Sequence, residues 1–282
     1  MKRILILILF SISFNSFSQN VLDGIYVKEA YQEKKVIAYP HLREADVMWS
    51  RRIWRKIDIR EKANHPIFFP VEPRGGRRSF FNVILDGVKE GSIVTFSSDR
   101  DDFTTQLTRQ EALDKLSYLK NSKKVDPDSD PDDPTYFETT DTLSYNSADV
   151  KYYLIKEDWF FDKKRSVLDV RIIGICPVVQ GYASDGTERG IKELFWIYYP
   201  SARGYFANAE IYNTQNDSER RTYEDLFWKR NFSSYIVKET NVYDRHLSKD
   251  EESGYLTGID VLYESEKIKA RMFEFEQNMW QY

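Results

Sequence analysis

A chain of 282 residues can hold one large domain or two modest ones, and 41% hydrophobic against 30% charged residues makes it globular and not disordered. The net charge of −4 provides no basic footprint for nucleic acid. The one cysteine, Cys176, excludes an intrachain disulfide, and its place in the apolar run IIGICPVV marks it as a small buried side chain and not a nucleophile.

Residues 1–18 read as a secretory signal peptide. Lys2 and Arg3 precede a continuous apolar run from Ile4 to Phe10, and Ser16-Phe17-Ser18 supplies a small-residue cleavage site before Gln19. The mature chain is therefore expected to be exported. No cysteine sits just after the cleavage point to take a lipid anchor, and no later stretch nears the roughly 18–20 apolar residues of a membrane span. Residues 19–40 read as an extended arm whose Val21, Leu22, Ile25, Tyr26 and Val27 are too many for a solvated tail; it can lie on its own domain or across a neighbouring subunit.

Residues 41–125 are predicted to be a mixed helical and β region. In 42–59, Ala45, Trp49, Ile53 and Ile57 fall on one four-residue row with Trp54 beside it, and Arg43, Arg51, Arg52, Arg55 and Lys56 take the rest, which predicts a basic amphipathic helix. Pro66 ends that pattern by His65. Residues 80–85 and 92–97 read as strands joined around Asp86-Gly87, and 103–120 as a second helix, opened by Thr108 with Glu111 three residues on. The tract DPDSDPDDP (126–134) reads as an acidic Asp/Pro linker. It lacks the glycine and terminal glutamate of a calcium loop.

Residues 135–282 are predicted to form the α+β core. Runs of β-branched and aromatic residues at 152–161 and 167–179, joined by DKKRS, read as an antiparallel hairpin, and ELFWIYYP continues the sheet. The β pattern extends through 202–211. Thr222 and Asp225 then frame a short helix, predicted over 222–235, with Tyr223, Leu226, Phe227 and Phe232 on its apolar face. A long C-terminal helix starts near Thr257, with Asp260 as its capping partner; Val261, Ser265, Ile268, Met272, Phe275 and Met279 follow four-three spacing, which predicts docking on its own domain. The fold class expected is α+β: an antiparallel or mixed sheet flanked by amphipathic helices, with a long helix at the C-terminus.

Catalysis finds little support. His41, His65 and His246 belong to no metal-spaced cluster, no GxSxG or nucleotide loop is present, and Glu157 and Asp158, being adjacent on a strand, point to opposite faces. No catalytic, cofactor or metal residues are therefore expected. The aromatic surplus points instead to contact surfaces: Trp49 and Trp54 with Arg52, the strand residues Phe195, Trp196 and Tyr198, and Leu226, Phe227 and Trp228 on the short helix. An exported glycan- or peptidoglycan-binding module, stacking sugars on exposed rings, is the alternative, and a hydrolase using Glu157 or Asp158 a third.

Three aromatic-rich blocks, REKANHPIFFP (60–70), LFWIYYPSARGYF (194–206) and YEDLFWKRNFSSYIVKE (223–239), stand in this order after a signal peptide and before a C-terminal helix. In this the mature chain resembles the gliding motility GldN family, called PorN in non-gliding relatives. The resemblance implies a periplasmic, non-enzymatic component of the type IX secretion system without cofactors. It further implies a homo-oligomeric ring with a GldK/PorK-type outer-membrane lipoprotein, and contact with the GldL and GldM/PorM motor.

Overall fold

The computed structural model describes residues 34–74, 76–125, 136–213, 216, 219–250 and 253–279. The signal peptide, residues 19–33 of the arm and the DPDSDPDDP tract lie outside the described residues. In chain order the first elements are β1 (Val47–Asp58), α1 (His65–Phe68), α2 (Phe80–Glu90), β2 (Thr95–Phe96), α3 (Arg109–Lys115), β3 (Ser117–Val125) and β4 (Tyr136–Ser144). There follow β5 (Val150–Asp162), β6 (Val167–Tyr182), β7 (Glu188–Glu193), β8 (Trp196–Tyr198), α4 (Tyr199–Phe206), β9 (Glu210–Ile211), β10 (Arg221–Thr222), α5 (Tyr223–Trp228), β11 (Tyr235–Glu239) and α6 (Ile259–Met279). The fold is α+β, built on an antiparallel sheet in the order β11-β1-β5-β6-β8-β2, with β7 also paired to β6.

The hairpin at the centre is the one that the turn residues specify. β5 and β6 pair from Asp162↔Val167 to Val150↔Val179. Asp162 closes the turn: its carboxylate accepts the Lys164 N–H at 2.9 Å and Arg165 Nε at 2.7 Å, and Ser166 takes the left-handed conformation at φ 54°. Hydrogen bonds from Arg165 hold the Asp162 carboxyl below the usual carboxylate range, and those from Arg60 do the same to Asp58. A depressed folded pKa contributes stability above the unfolded value of about 4, lost as pH falls through the folded value. Urea midpoints are therefore expected to hold from neutrality to about pH 5 and to decline below about pH 4, and Asp162→Asn is expected to blunt that decline. A midpoint independent of pH in this range would contradict the geometry.

Residues 47–58 form a strand and not the predicted helix. Four is also a multiple of two, so the row Trp49, Ile53, Ile57 satisfies a pleated strand as well as a helix. What decides is pairing: β1 matches β5 from Val47↔Asp162 to Asp58↔Tyr152. Its arginines alternate to partners on both faces, Arg52 reaching Asp158 at 2.6 and 2.9 Å, and Arg55 reaching the Ser234 hydroxyl and carbonyl at 2.9 and 3.0 Å. Because β1 and β2 lie in the same sheet as β5 and β6, the chain before the acidic tract and the chain after it share one core.

Four other segments also depart from expectation. FFNVIL, read as a strand, opens helix α2: Ser79 Oγ accepts the Asn82 N–H at 3.2 Å, and Gly91 ends the helix at φ 78°. Gly87, read as a turn, sits within α2 where an added Cβ would lie 2.4 Å from Ile93 Cδ1, so the glycine admits close packing. Of 202–211, read as β after a turn at Pro200, only Glu210–Ile211 is strand; residues 199–206 form α4 with Pro200 in its first turn, where a missing N–H is not needed. The second helix keeps its Thr108–Glu111 capping box but stops at Lys115, and Leu119 then lies on β3, exposed. The 222–235 helix likewise keeps its Thr222–Asp225 box but ends at Trp228, after which the chain becomes β11.

The sheet is apolar on both faces. One face, with Ile57, Tyr153, Ile155 and Ile175, packs under α2, α4 and α5. The other carries Trp54, Tyr152, Cys176, Val178 and Trp196, and the loop 97–106 covers it. There Phe103, at φ 58°, lays its ring over Gly174, whose added Cβ would meet Phe103 Cζ at 2.4 Å. Asp101 anchors the loop by accepting Trp54 Nε1 at 2.6 Å and facing the buried Lys156 at 3.3 Å.

Helix α6 docks against β1 and β11 through Val261, Ile268 and Met272. The serine in its apolar stripe has a structural reason: Ser265, fully buried, accepts the Ile236 N–H at 2.8 Å. Ser265→Ala leaves that N–H without an acceptor and is expected to destabilise by about 1–3 kcal/mol. A denaturant midpoint unchanged by the substitution would show that α6 does not seat on β11 in this register.

Candidate functional site

The three aromatic blocks meet in space. Asn64, in the first, is buried and donates to the carbonyls of Asp58 and Ser233 at 2.7 and 3.0 Å, while its own Oδ1 accepts the Ser233 N–H at 2.9 Å, tying the first block to the third. Arg203, in the second, meets Glu224 of the third at 2.6 Å, both side chains being buried. Tyr199 sets its ring edge against Phe227 at 5.7 Å. The blocks thus enclose α4 and α5.

Across this unit lies residues 34–40, an extended strap without helix or strand. Tyr39 stacks on Trp228 with centroids 5.4 Å apart, and the Arg203 guanidinium lies 4.2 Å from the Tyr39 ring and 4.9 Å from Trp228. Arg203 Nη2 donates to the Ile37 carbonyl at 2.8 Å, and Arg171 Nη2 to the Pro40 carbonyl at 2.6 Å. Lys34 donates through its backbone to Asn208 Oδ1 at 3.1 Å and through its ammonium to Asp225. Burial pushes the Tyr39 hydroxyl up, as it does that of Tyr199 beneath it. A cavity of about 420 Å³ opens beside the strap, walled by Tyr39, Asp169, Ile172, Tyr199, Trp228 and Arg230.

The nine residues expected at contact surfaces are dispersed. Trp54 and Trp196 lie in the cluster under the 97–106 loop, and Phe195, Leu226 and Phe227 are buried in the main core. Trp49 is half-buried and stacks on Phe275 of α6 at 4.9 Å. Arg52, Tyr198 and Trp228 remain exposed, Tyr198 beside Phe103 and Trp228 under the strap. Glu157 is sealed from solvent and held by Arg230 at 2.8 and 3.2 Å and by Trp159 Nε1 at 2.9 Å; Asp158 points the other way, to Arg52. Neither carboxylate shares a site with the other. Among the described residues, no group of three or more His, Cys, Asp or Glu side chains is arranged to hold a metal ion, and no helix is long and apolar enough to cross a membrane.

A family model described as gliding motility associated protein GldN matches residues 42–281. The chain belongs to the GldN family. No curated protein matches it at a significant level. Membership makes the chain a component of the gliding-motility and type IX secretion machinery, and GldN is not a known enzyme family. All three aromatic blocks fall inside the matched residues, whereas the strap 34–40 precedes them.

Sequence reasoning did not reach Tyr39, Arg171 or Arg203. In the β run expected over 202–211, the charged side chain of Arg203 reads as part of a solvated face. Only the helix of 199–206 turns it inward between two rings. The available signal was the arginine within YPSARGYF, two residues before an aromatic pair and three after a proline that can open a helix.

Proposed function

We propose that the chain is a non-enzymatic, exported structural subunit of the type IX secretion and gliding machinery. It stands in the periplasm, held at the outer membrane by partners. In this reading it assembles as a homo-oligomeric ring with a GldK/PorK-type lipoprotein and links that ring to the GldL and GldM/PorM-type motor, so that both secretion and gliding depend on it. The observation that carries the reading is the GldN match over residues 42–281. The signal-peptide pattern of residues 1–18 supports the location.

Of the nine residues named from sequence, the exposed Arg52, Tyr198 and Trp228 are the ones that offer area to a partner without unfolding the chain. Affinity purification of a tagged chain from membranes in mild detergent is expected to recover the lipoprotein and the motor protein in one high-mass species. Recovery as a free monomer without either protein would overturn the proposal. Retention on insoluble peptidoglycan, with the lipoprotein absent, would favour the glycan-binding alternative.

A further inference from the structure

We propose that the outer edge of β4 is an interface, and that its occupant is β4 of a second copy of this chain, running antiparallel to it. β3 and β4 form a sheet of their own, with nine residue pairs from Ser117↔Ser144 to Val125↔Tyr136 and no bulge. The Asn121 N–H leaves this ladder and donates to the Ser184 carbonyl at 2.6 Å, so the outer edge of β3 is turned to the body of the fold. Asn121 stands opposite Thr140. Opposed residues of an antiparallel pair turn their N–H and C=O groups either both toward each other or both away. Thr140 therefore directs its backbone groups away from β3, and Glu138 and Thr142, two residues to either side, do the same. Among the described residues no strand meets that edge, and Thr140, Thr142 and Ser144 are exposed.

Free edges are ordinarily guarded by lysine, proline, a bulge, short length or a covering segment. The main sheet follows this practice. β2 is two residues long, β7 carries Arg189, Gly190 and Lys192 and pairs with β6 through a register shift, and beside β11 the Leu247 N–H closes on the Val237 carbonyl at 2.8 Å. β4, by contrast, reads YFETTDTLS, without lysine, arginine, proline or glycine, and its threonines favour extended backbone. The lysines of this hairpin, Lys120, Lys123 and Lys124, all stand on β3.

The order of residues in β4 selects a second β4 as the partner. One antiparallel register overlaps the whole strand, and it sets Thr140 on the two-fold axis against Thr140 of the second copy. Outward backbone groups fall on even-numbered residues in both strands, so this register aligns donors with acceptors. It also sets Glu138 opposite Thr142 and Asp141 opposite Thr139, so that no carboxylate meets another, and Leu143 opposite Phe137. Sliding toward Ser144 puts Asp141 against Asp141, and sliding the other way shortens the ladder. Two joined hairpins make four strands, which hold together where two alone are marginal. The inference goes beyond the ring reading, because a two-fold contact joins copies in pairs whether or not the pairs enter a ring.

The exported chain, purified alone, is followed by sedimentation velocity over a concentration series. A monomer–dimer equilibrium is expected. Thr140→Lys and Thr140→Asp each place like charges on the axis, and each is expected to raise the dimer dissociation constant at least about tenfold. Thr140→Ser keeps the hydroxyl that donates to Asn121 Oδ1 at 3.1 Å and is expected to leave dimerisation unchanged. Mixing the two charged variants under different tags is expected to restore a dimer bearing both, which a loss of folding could not do. A chain that stays monomeric throughout the series overturns the proposal, and so does a dimer that both charged variants leave intact. A dimer lost in both and not restored by mixing overturns it as well. None of these outcomes decides the ring reading, which copurification of the lipoprotein tests.

Discussion

Replacing Phe80 with alanine is expected to lower the stability of the folded chain by about 3–5 kcal/mol, among the largest losses any single truncation should produce. Phe80 is fully buried at the start of α2, and its ring lies 5.0–5.2 Å from those of Tyr153, Phe206, Tyr223 and Phe227. These four come from β5, α4 and α5, so one side chain joins the central strand to the two helices that carry the strap seat. The neighbours cannot collapse into the space, because Tyr223 is pinned by its hydroxyl, which donates to the Arg78 carbonyl at 2.8 Å. Phe80→Leu keeps most of the volume and is expected to cost less than about 1.5 kcal/mol. Urea unfolding of both variants checks the argument, and a Phe80→Ala loss below about 1 kcal/mol would mean that the rings do not converge as described.

The central hairpin was legible because its cause is local. A charged turn stands between two β-branched and aromatic runs, and no helix competes for either. The capping boxes at Thr108 and Thr222 were legible for the same reason, since each is satisfied within four residues. Helix lengths were not, because where α3 and α5 stop depends on pairing partners distant in sequence, namely β4 for β3 and β1 for β11.

Strand β1 shows the limit most clearly. Its four-residue row fits two periods at once, and its four basic residues, Arg51, Arg52, Arg55 and Lys56, suit a solvated helical face equally well. In the fold they are spread over both faces of a strand, with Glu239 beside Arg51 and Asp158 beside Arg52. The reverse error befell α2, whose unbroken apolar start resembles a buried strand until Ser79 and Gly91 are seen to bracket a helix. The site suffered from both kinds of ambiguity. Residue type alone makes surface anchors of tryptophans, yet Trp54 and Trp196 are covered by a loop whose position depends on a left-handed Phe103 and a facing Gly174. No local pattern announces that contact.

Removing Arg230 is expected to be nearly as damaging as removing Phe80, for an electrostatic reason. Glu157 is fully buried in the sheet, and Arg230 reaches it with two nitrogens from a left-handed position at φ 53°. Arg230→Ala leaves the carboxylate with the Trp159 indole as its remaining hydrogen-bond donor and is expected to cost about 3–5 kcal/mol. Arg230→Gly makes the same deletion but relieves the backbone, and should fall about 1 kcal/mol short of that loss. Glu157→Gln alone is not benign, because it leaves Arg230 facing Arg55, whose guanidinium burial already pulls below the usual arginine range and which the Glu157 charge supports. Removing both charges together, in Glu157→Gln/Arg230→Ala, is expected to recover part of the loss, so that the double variant is more stable than the sum of the single effects. Strict additivity in a denaturant series would mean that the two groups do not interact. Glu157 is sealed from solvent and paired with Arg230, so the same cycle also tests the hydrolase reading: catalytic turnover lost in Glu157→Gln with stability intact would favour it.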